Sequence, residues 1–140
     1  MPCSRKLDAR SVGAAAVFAV LVLACSQGDP ARGAAERFID AYYVEIDLPR
    51  AREQTVGLAQ AKVDDEMKLL EGQAAADGTS RPTVNYRFVE QQDAANRDRR
   101  GFIYELTITF DGRDQIKRRT LVTVREDDGV WHAANFQEID

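Results

Sequence analysis

The sequence predicts an α+β fold, two N-terminal helices packed on a curved four-stranded antiparallel meander. Three observations carry that expectation. Apolar residues recur at helical spacing early in the folded region, at Ala31, Ala34, Ala35, Phe38, Ile39, Tyr42, Tyr43 and Ile46. From residue 83 onward the apolar period becomes two, as in half-buried strands. Asp111-Gly112 and Asp128-Gly129 punctuate the alternating runs where tight hairpins need them.

Each element has a local reason. Asp29 can cap the first helix, and Pro30 suits a first turn that needs no amide hydrogen. The stripe through Ile46 is one buried face, and "DLP" interrupts it because the residue before a proline avoids the helical region. A second helix is expected from Pro49 to Glu71, with Val56, Ala59, Val63, Met67 and Leu70 as its stripe and Gly72 as its stop. Gly57 weakens that helix by ~1 kcal/mol, so a kink or a close contact is expected there. "QAAADGTS" (73–80) reads as a polar loop. Then Val84, Tyr86 and Phe88 alternate in one strand, and Phe102, Tyr104, Leu106, Ile108 and Phe110 in the next. "QIKRRTLVTVRE" returns after the first Asp-Gly turn and "VWHAANFQEI" after the second. Pairing Phe110 with Ile116 across the first turn sets Ile108 opposite Arg118, Leu106 opposite Thr120 and Tyr104 opposite Val122.

The region before the helices has its own logic. Arg5, Lys6 and Arg10 precede thirteen apolar or glycine residues, Val12 to Ala24. As a helix that run is roughly 20 Å long, short of the ~30 Å hydrocarbon core of a bilayer. A basic start, a short apolar middle and small residues at the end make a secretory leader over residues 1–24. "VLAC" (22–25) resembles the bacterial lipobox, although Leu23 is bulkier than the usual residue there. The resemblance implies cleavage after Ala24, diacylation of the Cys25 thiol and acylation of the freed amine. Two or more acyl chains hold a protein at a membrane where one would exchange. Residues 25–30 would then be a lipidated cysteine and a short tether reaching at most ~17 Å, with a single domain over 31–140. In families that sort lipoproteins, aspartate after the cysteine favours the inner membrane, so Ser26 implies the periplasmic face of the outer membrane.

With Cys3 in the leader and Cys25 lipidated, no thiol remains and stability must come from packing. Removing residues 1–24 leaves 116 of the 140, with 16 Lys and Arg against 22 Asp and Glu. That net charge of −6 argues against nucleic acid as a partner and against broad adhesion to an anionic bilayer.

Two helices, an antiparallel sheet and a last strand "GVWHAANF" with Trp131 after an acidic-glycine turn resemble the nuclear transport factor 2-like superfamily. That resemblance implies a cone with a pocket between sheet and helices. The loop at 73–80 is too short for the extra strand and helix of fuller members, so a shallow pocket is expected. Superfamily enzymes work with an Asp, His or Tyr inside the cone, which makes His132 the first candidate. Alternation sends it outward if Trp131 and Ala133 point in, giving a surface histidine. Tyr42, Tyr43, Tyr86 and Tyr104 either line a cavity or serve as core residues with wet tips. The strand register points Arg118 into the concave side. There a guanidinium would suit a carboxylate or phosphate ligand, reach to the rim, or pair with an acidic helix residue. One histidine gives no metal-ligand cluster, and no residue pattern nominates a cofactor or a catalytic pair.

Three functions fit these features. The first is a non-catalytic envelope lipoprotein that binds a partner protein or an apolar ligand. The second is an isomerase- or dehydratase-like enzyme on the same cone. The third is a homodimer joined through the outer sheet face, with Ile103, Thr107, Thr109, Leu121 and Thr123 supplying the contact.

Overall fold

A computed structural model describes residues 28–73, 81–93 and 96–140. The leader, Cys25 and most of the 73–80 loop lie outside these residues. Helix α1 (Pro30–Ile39) begins as the sequence predicts: the Asp29 carboxylate accepts from Ala31 N at 3.1 Å, and Pro30 occupies the first turn. Its buried stripe is Ala31, Ala34, Ala35, Phe38 and Ile39. The small residues let the helix lie close on the sheet, and Phe38 fills the space beyond them.

The helix then widens instead of continuing to Ile46. Residues Asp40–Val44 form a π turn, with Glu45 N donating to Asp40 O at 2.8 Å, and Ile46 ends it at a φ of 54°. One extra residue per turn places both Tyr42 and Tyr43 on the interior side.

The single helix expected over 49–71 is two, so the described residues form three α-helices. Helix α2 (Leu48–Glu53) is capped by Asp47, whose carboxylate accepts from Arg50 N at 3.0 Å. Helix α3 (Gly57–Leu70) starts at Gly57 with a φ of 59°. The break between them has a tertiary cause. Val56 N donates to Ala133 O and Ala133 N donates to Gln54 O, both at 2.9 Å, so residues 54–56 pair with the edge of the sheet. Thr55 is buried there, its hydroxyl donating to Arg52 O at 2.7 Å. Gly57 supplies the left-handed turn that restarts the helix.

The four strands β1 (Thr83–Asp93), β2 (Arg99–Phe110), β3 (Asp114–Asp127) and β4 (Val130–Ile139) form one antiparallel sheet in sequence order. Both Asp-Gly pairs have positive φ at each residue, the hairpin signature. The β2–β3 register differs from the sequence expectation by two residues: Phe110 pairs with Asp114, Ile108 with Ile116, Leu106 with Arg118 and Tyr104 with Thr120. The turn closes two residues earlier on the β3 side, with Arg113 N donating to Phe110 O at 3.0 Å. A shift of two preserves parity, so every side chain keeps its face. Bulges occur in β1 between Phe88 and Glu90 and in the β3–β4 pair opposite Thr123–Val124.

The inner face carries Val84, Phe102, Tyr104, Leu106, Thr120, Val122, Val124, Ala133 and Phe136, all buried beneath the helices. Asp29 also bonds Arg100 at 2.9 and 3.0 Å, which stands over the Trp131 ring at 5.2 Å. Gly28 therefore leaves the body at the Arg100 end of the sheet, opposite the Asp111-Gly112 turn. Among the described residues no helix is long and apolar enough to cross a membrane.

Candidate functional site

The concave side gathers most of the residues nominated from sequence. Phe38, Tyr42, Tyr43 and Phe136 form one aromatic cluster, with ring centroids 4.8 to 6.5 Å apart. These rings occupy the space between the π turn and the sheet. The Tyr42 hydroxyl donates to Glu66 Oε2 at 2.5 Å, and Tyr43 shares a hydrogen bond of 3.2 Å with Thr120 Oγ1. Glu66 was invisible to sequence reasoning because it lies 24 residues from Tyr42, on another helix; a carboxylate one turn before Leu70 was its only signal. Lys62, one turn earlier, donates to Asn135 Oδ1 at 2.9 Å and to Phe136 O at 2.6 Å, tying α3 to β4.

A second group lies between α1 and β1. Tyr86 and Tyr104 meet edge to face at 5.7 Å, and Phe88 meets Tyr104 at 5.8 Å. The Arg32 guanidinium stands 4.1 Å over Phe88 and bonds Glu36 at 2.8 Å. Tyr104 is fully buried, and its hydroxyl, which lies near the Arg32 guanidinium, makes no hydrogen bond of good geometry with another described residue.

All four tyrosines hold their protons more tightly than a free tyrosine does. Burial is the main cause in each. The Glu66 carboxylate adds to it at Tyr42, and the Asp40 carboxylate adds to it at Tyr86, which is pushed up to about 12. Glu36 adds to it at Tyr104, against the nearby Arg32. Tyr43 is raised by burial while its bond to Thr120 works the other way.

An unpaired buried hydroxyl costs on the order of 1–3 kcal/mol. Tyr104→Phe keeps the ring and deletes that cost, so it is expected to raise stability by ~1 kcal/mol and the melting temperature by roughly 4 °C. Thermal denaturation followed by circular dichroism checks it; a lowered midpoint would mean that the hydroxyl has a partner in solution.

Arg118 and His132 stand apart from both groups. Arg118 lies on the concave side of β3 but is exposed, and among the described residues nothing bonds it. With Glu105, Lys117, Arg119, Ile139 and Asp140 it lines a concavity of mixed charge, about 240 Å³ in volume. His132 pairs across the sheet with Arg125 on the outer face, where alternation sends it, and its Nδ1 is buried without a bond. On that same face Ile103 is only 4% exposed, and Thr107, Thr109, Leu121 and Thr123 are half-buried. No group of three His, Cys, Asp or Glu side chains among the described residues could hold a metal ion.

A third feature lies at the end of the molecule opposite Gly28. Ile46, Leu48, Pro49, Met67, Leu70 and Glu71 line an apolar concavity of about 320 Å³. Leu48 is its buried floor, while Ile46 and Leu70 are 44% and 46% exposed. The sequence stripe placed Ile46 and Leu70 in the core; the π turn and the end of α3 leave both at the surface.

A solved structure shares this architecture. The chain aligns with the NTF2-like designed protein Rd1NTF2_05 at a TM-score of 0.52 and 16% identity, over 79% of this chain and 97% of that one. The fold is NTF2-like. Lesser likenesses are to RPA3114, a SEC-C motif containing protein from Rhodopseudomonas palustris (TM-score 0.47, 14% identity, 71% and 72% covered), and to the intermembrane space region of the chloroplast protein ARC6 (TM-score 0.45, 10% identity, 81% and 98% covered). No family model and no curated protein matches the chain.

Proposed function

We propose that this protein is a lipid-anchored binding module of the bacterial envelope, held through Cys25 and engaging a partner protein at the end of its cone away from the tether. The observation that carries the binding half is the apolar concavity around Leu48, open to solvent at Ile46 and Leu70. Apolar surface rimmed by charge marks interaction sites on small domains. Glu71 is the one charged residue that lines it, so the fitting partner presents an apolar segment with a basic residue beside it. Its position agrees with a short tether: the Gly28 end faces the membrane and the concavity faces the compartment. The Ser26 side chain after the cysteine favours the outer membrane.

Catalysis of the isomerase or dehydratase kind finds less support. Its best candidate pair is Tyr42 and Glu66, but a tyrosine whose proton is held more tightly than usual is a poor acid or base near neutral pH.

Two measurements test the reading. Cys25→Ser is expected to move the protein wholly from the membrane to the soluble envelope fraction, with loss of acyl mass; membrane retention without lipid would refute the anchor. Cross-linking in the native envelope should capture a partner with the unaltered chain and lose it with Ile46→Asp/Leu70→Asp. Capture indifferent to that change would refute the groove.

A further inference from the structure

The two edges of the sheet are treated differently. β4 is paired over part of its length by residues 54–56, whereas among the described residues nothing pairs with the outer edge of β1. That edge is eleven residues long. Long free edges invite pairing, and proteins commonly blunt them with a bulge or charge. β1 carries both, and their placement is specific.

The bulge between Phe88 and Glu90 inverts the alternation part-way along the strand. Val84, Tyr86 and Phe88 share the inner face with Gln91 and Asp93, which pair with Phe102 and Arg100; Asn85 and Arg87 share the outer face with Glu90 and Gln92, which pair with Ile103 and Gly101. A regular strand laid along this edge would match faces on one side of Val89 and mismatch them on the other. A strand bulged at the same place, running antiparallel, matches on both sides. We propose that a second copy of this chain pairs along β1 about a two-fold axis between Phe88 and Val89, joining the two sheets into one of eight strands.

In that register the paired residues are Val84 with Asp93, Asn85 with Gln92, Tyr86 with Gln91, Arg87 with Glu90 and Phe88 with Val89, each occurring twice by symmetry. The four pairs flanking the centre each share a face. Arg87 meets Glu90 on the outer face, and no like charges oppose one another. Arg87 is free to turn, with a side chain 65% exposed and a single bond of 3.1 Å to Glu105, which also holds Lys117. Half-buried Phe88 and Val89 close the centre, with polar pairs outside them. Shifting the register by two sets Phe88 against the outer-face Arg87 in one direction and Val89 against the outer-face Glu90 in the other, and either shift separates Arg87 from Glu90. This contact is an edge, distinct from the outer sheet face considered above, and it does not depend on the binding groove or the anchor.

The test is sedimentation equilibrium of the full chain in a non-ionic detergent that accommodates a lipid. The unaltered chain should show the mass of two protein chains. Arg87→Glu alone and Glu90→Arg alone each turn two attractions into two repulsions, and each is expected to weaken association roughly tenfold. An equimolar mixture of the two variants restores both attractions and should associate like the original. So should the doubly exchanged chain R87E/E90R, which repeats the test without relying on Arg87→Glu folding by itself. A monomer at every concentration, a dimer indifferent to the single changes, or failure of both the mixture and the double exchange would overturn the proposal.

Discussion

Raising the pH through 11 is expected to unfold this protein in one cooperative step, with its tyrosines ionising during unfolding and not before it. The chain has four tyrosines, and in the folded state all four have their pKa raised, by burial first and by neighbouring carboxylates second. The sign follows from linkage. Below about pH 10 the hydroxyls are protonated in both states, and their contribution to stability is fully present. Above it the unfolded chain releases protons that the folded chain keeps, so stability falls by ~1.4 kcal/mol per pH unit for each tyrosine. Four together remove at most about 5 kcal/mol per unit, and Tyr86, raised to about 12, stops contributing near that pH. A domain of this size has about 5–15 kcal/mol to lose. Tyrosinate absorbance and far-ultraviolet circular dichroism should therefore change together between about pH 11 and 12. Four tyrosinates appearing near pH 10 with the circular dichroism intact would show that the rings are open to solvent.

Phe38→Ala is expected to cost ~4 kcal/mol, the largest single-residue loss in the core. Phe38 is fully buried, stacks on Tyr42 at 5.3 Å and meets Phe136 at 4.9 Å and Tyr43 at 6.5 Å. Truncation removes the transfer free energy of the ring, leaves a cavity and dissolves the contacts that order the π turn. The surroundings have little room to collapse, because α1 is already held close to the sheet through Ala31, Ala34 and Ala35. Urea denaturation should show the midpoint falling with little change in slope. The Tyr42–Glu66 bond depends on that packing, so near-ultraviolet circular dichroism of the tyrosines should weaken even where the mutant stays folded. A loss below ~1 kcal/mol would mean that the cluster is loosely packed.

These two expectations rest on different parts of the fold, and they were differently legible. The helix start at Asp29-Pro30, the two Asp-Gly hairpins and the alternation of β2 follow from single side chains and backbone preferences, and all appear in the structure as local rules require. The inner face was legible for the same reason: parity survives a register error of two. The register itself was not, since it depends on where the Asp111-Gly112 turn closes. The β1 bulge was equally hidden, because two adjacent residues on one face look like any apolar pair.

The break between α2 and α3 shows the limit most clearly. Gly57 marked a weak point, but a weak point alone gives a kinked helix. What separates the helices is the pairing of Gln54 and Val56 with Ala133, some 77 residues away from Val56 along the chain, which only the assembled sheet can offer. The same holds for Glu66 beneath Tyr42 and for the solvent exposure of Ile46 and Leu70. Sequence by itself determined the element types, the order of the strands and the faces they bury, because those follow from covalent geometry and local hydrophobic period. Tertiary structure decided which carboxylate meets which tyrosine, which edge is closed and which apolar residues stay at the surface, because each depends on groups brought together from distant parts of the chain.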